Sequence, residues 1–303
     1  MIEWLRRYKN YLYLHGIVII FGFTAILGEL ITLSTGPKVL YRMGIGFFGI
    51  LLFLLFRRKS IRVGKKQLFQ LLGAGVVIAL HWILFFEAIE VSNVSVTLAA
   101  ISSASLFTAI LEPIVYRRKV IGYEVALSGL VIVGLGVIFQ VEGGYRLGMF
   151  YGIVSAFLAS LFTVINGRLV KQHDASTISM YELLGGFLAI GIYFVCTGGL
   201  SVESFSMTTT DLIYMLILGL ICTSLAFVGS VAVMKEIPPF SVSMAINMEP
   251  IYGILLALVI FGSSEFMSPM FYVGALLVLL SVFGNAYLKN KKKRSDMSPQ
   301  AAQ

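Results

Sequence analysis

The 303-residue sequence has few of the residues that carry catalysis or metal binding. It contains three His and two Cys, and no Walker loop, HExxH motif or CxxC motif occurs in it. Both cysteines, Cys196 and Cys222, lie inside apolar segments, where we expect reduced thiols rather than a structural disulfide. The sequence therefore predicts neither ATP hydrolysis nor metal-dependent catalysis, and we expect no cofactor and no bound metal.

Charged residues are also scarce. They make up 13% of the chain, whereas hydrophobic residues make up 58%. This composition is too apolar for a soluble domain of this length and is typical of an integral membrane protein. The net charge of +8 does not predict nucleic-acid binding, because the basic residues flank apolar segments and form no basic domain. Their expected partners are anionic membrane lipids.

Ten apolar segments are long enough to cross a bilayer. A helix rises about 1.5 Å per residue, so about 20 apolar residues cross the roughly 30 Å hydrocarbon core. The predicted spans are Tyr11–Thr32, Val39–Phe56, Leu68–Ile89, Val91–Tyr116, Val120–Gln140, Leu147–Ile165, Ile178–Thr197, Leu212–Met234, Phe240–Phe261 and Phe266–Leu288. The even count places both termini on the same side of the membrane.

The basic residues predict which side that is. All of the 23 Lys and Arg residues except Lys38, Arg42 and Arg146 fall in the N-terminal segment, in alternate connections or in the C-terminal tail. Because loops rich in Lys and Arg stay in the cytoplasm, we predict cytoplasmic N- and C-termini in a plasma (inner) membrane.

The two halves of the chain resemble each other weakly. Four matches occur in the same order: His15–Val18 with Tyr151–Val154, Tyr41-Arg42 with Tyr181-Glu182, Ser95–Ala99 with Ser241–Ala245, and Gly129 with Gly274. Five spans per half is an odd number, so the second copy would enter the membrane upside down, which places a binding site between the halves. We therefore predict an all-α membrane bundle with a five-helix repeat at residues 1–143 and an inverted repeat at 144–290. A disordered basic cytoplasmic tail follows at 291–303.

Several motifs in these spans resemble the EamA-like branch of the drug/metabolite transporter superfamily, over about residues 11 to 288. They are Pro37 before Tyr41-Arg42, His81-Trp82 with Phe85-Phe86, Ser155-Ala156 to Arg168, Glu249-Pro250 and Gly274-Ala275-Leu276. The resemblance implies that spans 1, 3, 4, 6, 8 and 9 surround a central cavity and that spans 5 and 10 are peripheral. It also implies secondary transport of a small organic metabolite.

Glu249 is the most informative polar residue within the spans. Ionisable groups are costly in hydrocarbon, so each one needs a partner or a function. Glu249 lies near the middle of the ninth span beside Pro250, which removes a backbone donor and frees carbonyls to face a cavity. Two functions fit Glu249, namely carrying a proton and holding a substrate ammonium group. The alternative is a neutral acid that is hydrogen-bonded to another helix.

His81 and Trp82 lie near the middle of the third span. A histidine at this depth suits proton transfer or donation to a carboxylate, and an indole suits the wall of a site for a partly apolar solute. The alternative for His81 is a packing role in which a backbone carbonyl satisfies its ring.

Five further residues complete the candidate site. Ser102 and Ser103 lie near the symmetry mate of Glu249, although small hydroxyl residues equally suit close helix packing. Asn247 is a candidate lining residue on the helix of Glu249. Arg42 and Glu182 are close to span ends, where long side chains reach the interface at little cost, so we predict a gating or structural role for them.

These features predict a secondary active transporter, with export as the expected direction, for small organic metabolites such as amino acids. It would work by alternating access, with protons as a candidate coupling ion. A passive channel is an alternative, but it would need a continuous polar pore, whereas the polar residues cluster at one depth. A membrane-embedded enzyme would need converging acids or a nucleophile and base, and enzymatic activity is not predicted.

Overall fold

The computed structural model describes residues 2–141 and 143–297, and the described part is built from helices without strands. The helices are α1 (Ile2–Leu30), α2 (Thr35–Phe56), α3 (Lys65–Glu90), α4 (Val94–Ile101), α5 (Ala104–Tyr116), α6 (Gly122–Val141), α7 (Arg146–Leu169), α8 (Ala175–Thr197), α9 (Val202–Phe205), α10 (Thr209–Leu216), α11 (Ala226–Val233), α12 (Pro239–Ile246), α13 (Glu249–Phe261) and α14 (Pro269–Met297). A π-helical segment, Ile217–Leu225, joins α10 to α11, and short 3-10 turns occur at Gly143–Tyr145 and Gly262–Glu265.

Eight segments of the described chain are long and apolar enough to cross a membrane. They are Lys9–Leu30, Thr35–Phe56, Lys65–Glu90, Val94–Tyr116, Gly143–Leu169, Ala175–Thr197, Thr209–Val233 and Pro239–Glu265. Each overlaps a predicted span, which confirms the prediction of an all-helical membrane protein. The predicted fifth and tenth spans coincide with α6 and α14, whose apolar parts are shorter. The total of ten crossings and the side of the termini stay predictions.

Two of the apolar segments are interrupted near their middle. A break at Ser102 and Ser103 separates α4 from α5, and a break at Asn247 and Met248 separates α12 from α13. Both serine hydroxyls donate to backbone carbonyls of α4, which compete with the helical hydrogen bonds there. The second break precedes Pro250, whose missing N–H weakens the preceding turn as the sequence predicted.

The helices of the two halves pack against each other throughout the bundle. α3 packs on α7 and α8, α2 packs on α8 and on the π-helical segment, and α1 packs on α13. α6 and α14 pack closely through glycines: a Cβ on Gly134 would lie 2.6 Å from the carbonyl oxygen of Gly274, and the reverse distance is also 2.6 Å. Small residues permit such close approach of membrane helices.

The predicted tail falls partly on a helix. Residues 291–297, which we expected to be disordered, continue α14, and residues 298–303 lie outside the described part. The run of Lys and Arg at residues 291–294 has the propensity to continue a helix beyond its apolar part.

Candidate substrate cavity

A cavity of about 100 Å³ lies among the central helices and receives side chains from both halves of the chain. Its polar lining residues are Thr24, Arg42, His81, Thr163, Ser230, Ser243 and Glu249. Its aromatic lining residues are Phe21, Trp82, Phe85, Phe162 and Phe227. An apolar, aromatic wall with a few converging polar groups is typical of a site for a small organic molecule.

Arg42 brings a buried cation to this cavity. Its side chain is 2% exposed, its Nε donates to Thr223 Oγ1 at 2.8 Å, and its guanidinium carbon lies 3.8 Å from the ring centroid of Trp82. Its Nη1 is buried and has no hydrogen-bond partner among the described residues. Because an unpaired buried donor is costly, this nitrogen is suited to an anionic group of a ligand.

The expectation that Arg42 reaches the membrane interface is wrong. The side chain turns inward because Trp82 stacks on its guanidinium and Thr223 holds its Nε. No local sequence pattern indicates this contact, since Thr223 is 181 residues away along the chain.

Glu249 brings a carboxyl group to the same cavity from the start of α13. It is 7% exposed and has no hydrogen bond from the described residues to its side chain. Arg42 attracts it electrostatically, but the two groups form no direct ion pair. A guanidinium and a carboxyl group thus face one cavity without touching each other.

His81 lines the cavity and also ties α3 to α7. Its Nδ1 lies 2.9 Å from the carbonyl oxygen of Ser155, and Ser155 Oγ donates to the carbonyl oxygen of His81 at 2.8 Å. When Nδ1 carries the proton and donates it to that carbonyl, Nε2 remains an acceptor. The ring is held as the packing alternative requires, while Phe162 lies against it with centroids 5.4 Å apart.

The structure places the other predicted lining residues outside this cavity. Ser102 and Ser103 form the first helix break, and Asn247 Nδ2 donates to Ser105 Oγ at 2.9 Å, which joins the second break to α5. Pro250 and Ser102 line a separate apolar groove between α4, α13 and α14. The geometry therefore brings together Arg42, His81, Trp82 and Glu249. The other predicted lining residues, Ser102, Ser103 and Asn247, lie at the two helix breaks.

Glu182 also lies outside the cavity. It is fully buried on α8, where Asn166 Nδ2 donates to its Oε2 at 3.2 Å. Its placement close to the end of its span did not bring it to the interface, because α3 packs directly on the backbone of α8 at this residue.

Two acids that sequence reasoning did not select hold the interrupted helices. Glu265, just after α13, accepts from the backbone N of Val94 at 3.1 Å and of Ser95 at 2.9 Å, at the start of α4. Glu112 in α5 accepts from the backbone N of Phe240 at 2.7 Å, at the start of α12. Carboxylates are favourable at helix N-termini, so each interrupted segment caps the other. Glu112 also accepts from Arg118 Nε at 3.2 Å.

A membrane-crossing helical bundle that encloses a partly polar cavity between two halves has the architecture of a membrane transporter. The chain belongs to the EamA-like transporter family, whose model matches residues 9–140 and again residues 146–287. This confirms the resemblance seen in the sequence. An uncharacterized transporter of Clostridium kluyveri is 21% identical over 300 residues, and the match covers 94% of this chain and 94% of that protein.

The fold also resembles a solved structure. A crystal structure described only as that of a protein superposes with a TM-score of 0.71 at 14% sequence identity. The match covers 93% of this chain and 98% of the other. At this identity the likeness extends to the fold alone.

Proposed function

We propose that the protein is a secondary active transporter that exports a small zwitterionic metabolite, such as an amino acid, across the plasma (inner) membrane by alternating access. In this proposal ten spans form two inverted five-helix repeats, at residues 1–143 and 144–290, and both termini are cytoplasmic. The substrate binds in the central cavity to Arg42, His81, Trp82 and Glu249.

One observation carries this proposal, namely the buried guanidinium of Arg42 and the buried carboxyl group of Glu249, which face the same cavity. The free Nη1 of Arg42 suits a substrate carboxylate, and the carboxyl group of Glu249 suits a substrate ammonium group. Trp82 and Phe227, whose ring centroids are 6.2 Å apart, offer an apolar wall for the rest of the molecule.

Alternating access is supported by the pairing of the two halves. The family model matches the chain twice, and the contacts between the halves are reciprocal. α3 approaches the backbone of α8 at Gly75, and the π-helical segment approaches the backbone of α2 at Gly219, where a Cβ would lie 3.6 Å from the carbonyl oxygen of Arg42. Contacts between the halves at these two places, the closer one at Gly75, suit a pair of repeats that rock about a shared site.

Counterflow in proteoliposomes tests the proposal. Vesicles that contain the purified protein and unlabelled L-leucine are diluted into trace L-[³H]leucine, and we expect transient, saturable accumulation of label. Because the carboxylate should bind Arg42, excess external L-leucine should abolish the signal, whereas isopentylamine, which lacks a carboxylate, should compete weakly.

The variant Arg42→Gln should lose counterflow, and the matched variant Arg146→Gln, at an exposed position, should retain it. Equal activity of both variants, or equal competition by leucine and isopentylamine, would overturn the assignment of Arg42. Non-saturable equilibration without counterflow would indicate a channel. Absence of counterflow with each of the standard amino acids in turn would remove amino acids as the substrate class.

A further inference from the structure

A buried polar pair lies apart from the central cavity. Glu182 on α8 and Asn166 on α7 are both 0% exposed, and Asn166 Nδ2 donates to Glu182 Oε2 at 3.2 Å. The other oxygens of the two groups, Glu182 Oε1 and Asn166 Oδ1, are buried and have no hydrogen-bond partner among the described residues. Both of these oxygens are acceptors as they stand.

No charged side chain of the described residues forms a hydrogen bond or ion pair with the carboxyl group of Glu182. On the described part of α3 the residues against α8 here are Leu72 and Gly75, and on α2 the side chain of Met43 lies against Gly186. α11 also packs on α8 and carries no ionisable side chain. On α7 the nearest charged residue along the chain is Arg168, which is exposed.

Lys38 on α2 is buried and donates to the carbonyl oxygen of Gly28, and Arg42 is the second buried ionisable group of this helix. Its guanidinium is directed to Trp82 and Thr223 and forms no hydrogen bond with Glu182. An ionised carboxylate with one neutral donor is strongly disfavoured in such surroundings.

A single proton on the Glu182 carboxyl group would change which atoms of this pair can donate hydrogen bonds. A proton on Oε1 turns that oxygen into a donor, and Asn166 Oδ1 belongs to the same amide that already donates to Oε2. An amide beside a carboxylic acid can form two parallel hydrogen bonds, with the amide N–H donating to the acid carbonyl and the acid O–H donating to the amide carbonyl. In that arrangement one added proton would give both orphaned oxygens a hydrogen-bond partner.

The pair lies at a contact between the two halves. α7 and α8 belong to the second half, whereas α3 belongs to the first, and Gly75 allows α3 to approach the carbonyl oxygen of Glu182 so closely that a Cβ there would clash. If the halves rock, this is one of the contacts that must change. Water that entered the opened contact would solvate the carboxyl group and favour loss of its proton.

We propose that Glu182 and Asn166 form a proton-binding site and that the proton bound there is the coupling ion of transport. The proton is taken from water on one side of the membrane when the contact is open to that side, and it is returned to water on the other. Only the O–H bond of the Glu182 carboxyl group forms and breaks. The coupling part rests on the proposed transport function, whereas the proton site does not.

Infrared difference spectroscopy of the full-length protein in liposomes tests the proton site without any substrate. At neutral pH we expect a carboxylic-acid C=O band in the wild type that is absent from Glu182→Gln. In Asn166→Leu the band should persist and move to higher frequency, because the acid loses its hydrogen-bond partner. Identical acid bands in the wild type and Glu182→Gln, or an unmoved band in Asn166→Leu, would overturn the site.

Transport driven by a pH gradient tests the coupling, with L-[³H]leucine as the probe. Glutamine resembles the protonated acid, so Glu182→Gln should retain counterflow and lose accumulation driven by the gradient. The matched variant Glu203→Gln, at an exposed position on α9, should retain both.

The outcomes separate the two proposals. Gradient-driven accumulation by Glu182→Gln at the wild-type level would overturn the coupling while leaving leucine transport intact. Absence of counterflow in the wild type would count against the proposed function, and the infrared bands would then decide the proton site alone.

Discussion

Arg42 lies between two aromatic rings at the wall of the cavity. Its guanidinium carbon is 3.8 Å from the ring centroid of Trp82 and 5.6 Å from that of Phe86. A guanidinium is planar and weakly hydrated, so stacking and one hydrogen bond to Thr223 offset part of the cost of burial. In the proposed site the remaining unpaired donor would favour a partner with a negative charge.

Trp82 should therefore affect ligand binding through Arg42. Trp82→Leu removes the stacking surface, and we expect a loss of about 1–2 kcal/mol, or about 5- to 30-fold in the half-saturation concentration for leucine counterflow. Trp82→Phe keeps a ring and should lose less. A larger loss in the Phe variant than in the Leu variant would contradict the role of the ring face.

The sequence made His81, Trp82 and Glu249 candidates because each is conspicuous at mid-span. The predicted position of Arg42 close to a span end was misleading, because its depth in the membrane was counted along the chain from a predicted span start at Val39. The helix begins at Thr35, and the direction of the Arg42 side chain depends on neighbours from distant helices. Tertiary contacts of this kind leave no local pattern.

The two interrupted segments, α4 with α5 and α12 with α13, place backbone N–H groups inside the bundle. The first backbone N–H groups of α4 and of α12 have no acceptor within their own helices, and in a membrane they need one from elsewhere in the protein. Glu265 and Glu112 supply those acceptors from the opposite interrupted segment. The two segments are consequently joined at both ends, and each cap depends on the position of the other segment.

Removing one of these caps should destabilise the protein. Glu265→Gln replaces a charged acceptor that Val94 N, Ser95 N and Ser95 Oγ share, and we expect a loss of about 1–2 kcal/mol in the free energy of unfolding. Thermal unfolding in detergent measures the loss. Glu236→Gln, at an exposed position after α11, is the matched control and should unfold like the wild type.

At the scale of elements, the long apolar helices and the loosened turn at Pro250 could be predicted from the sequence. The break at Ser102 and Ser103 could not, because hydroxyl residues in a span equally indicate packing. The π-helical segment Ile217–Leu225 also had no signal. Within it Thr223 Oγ1 donates to the carbonyl oxygen of Leu218 at 2.8 Å while accepting from Arg42, so its geometry depends on a partner from another helix.

Several connections between helices that are rich in Lys and Arg lie next to each other in the molecule. Lys59, which follows α2, pairs with Asp174 before α8 at 3.2 Å, and Lys171 after α7 donates to the carbonyl oxygen of Lys235. These segments all belong to connections that the charge pattern assigns to the cytoplasm. Burial raises the pKa of Asp174, but hydrogen bonds from Lys59 and from the backbone of Ser176 outweigh it and hold this pKa below its usual range.

Topology follows from that arrangement and can be measured directly. In a background with Cys196→Ser and Cys222→Ser, the single variants Lys65→Cys and Lys235→Cys should react with a membrane-impermeant maleimide only after the cytoplasmic side is opened. Arg146→Cys should react in intact cells, because its loop is predicted to lie on the opposite side. Positive charge resists translocation, so we expect the four basic residues between α2 and α3, together with Lys65 and Lys66 at the start of α3, to keep this connection inside. An inverted second half then needs Lys235 on the same side. If Lys65→Cys and Lys235→Cys were labelled from different faces, the chain would have to cross the membrane an odd number of times between these two residues. Two inverted five-helix repeats would then be impossible, and the shared cavity would need another explanation.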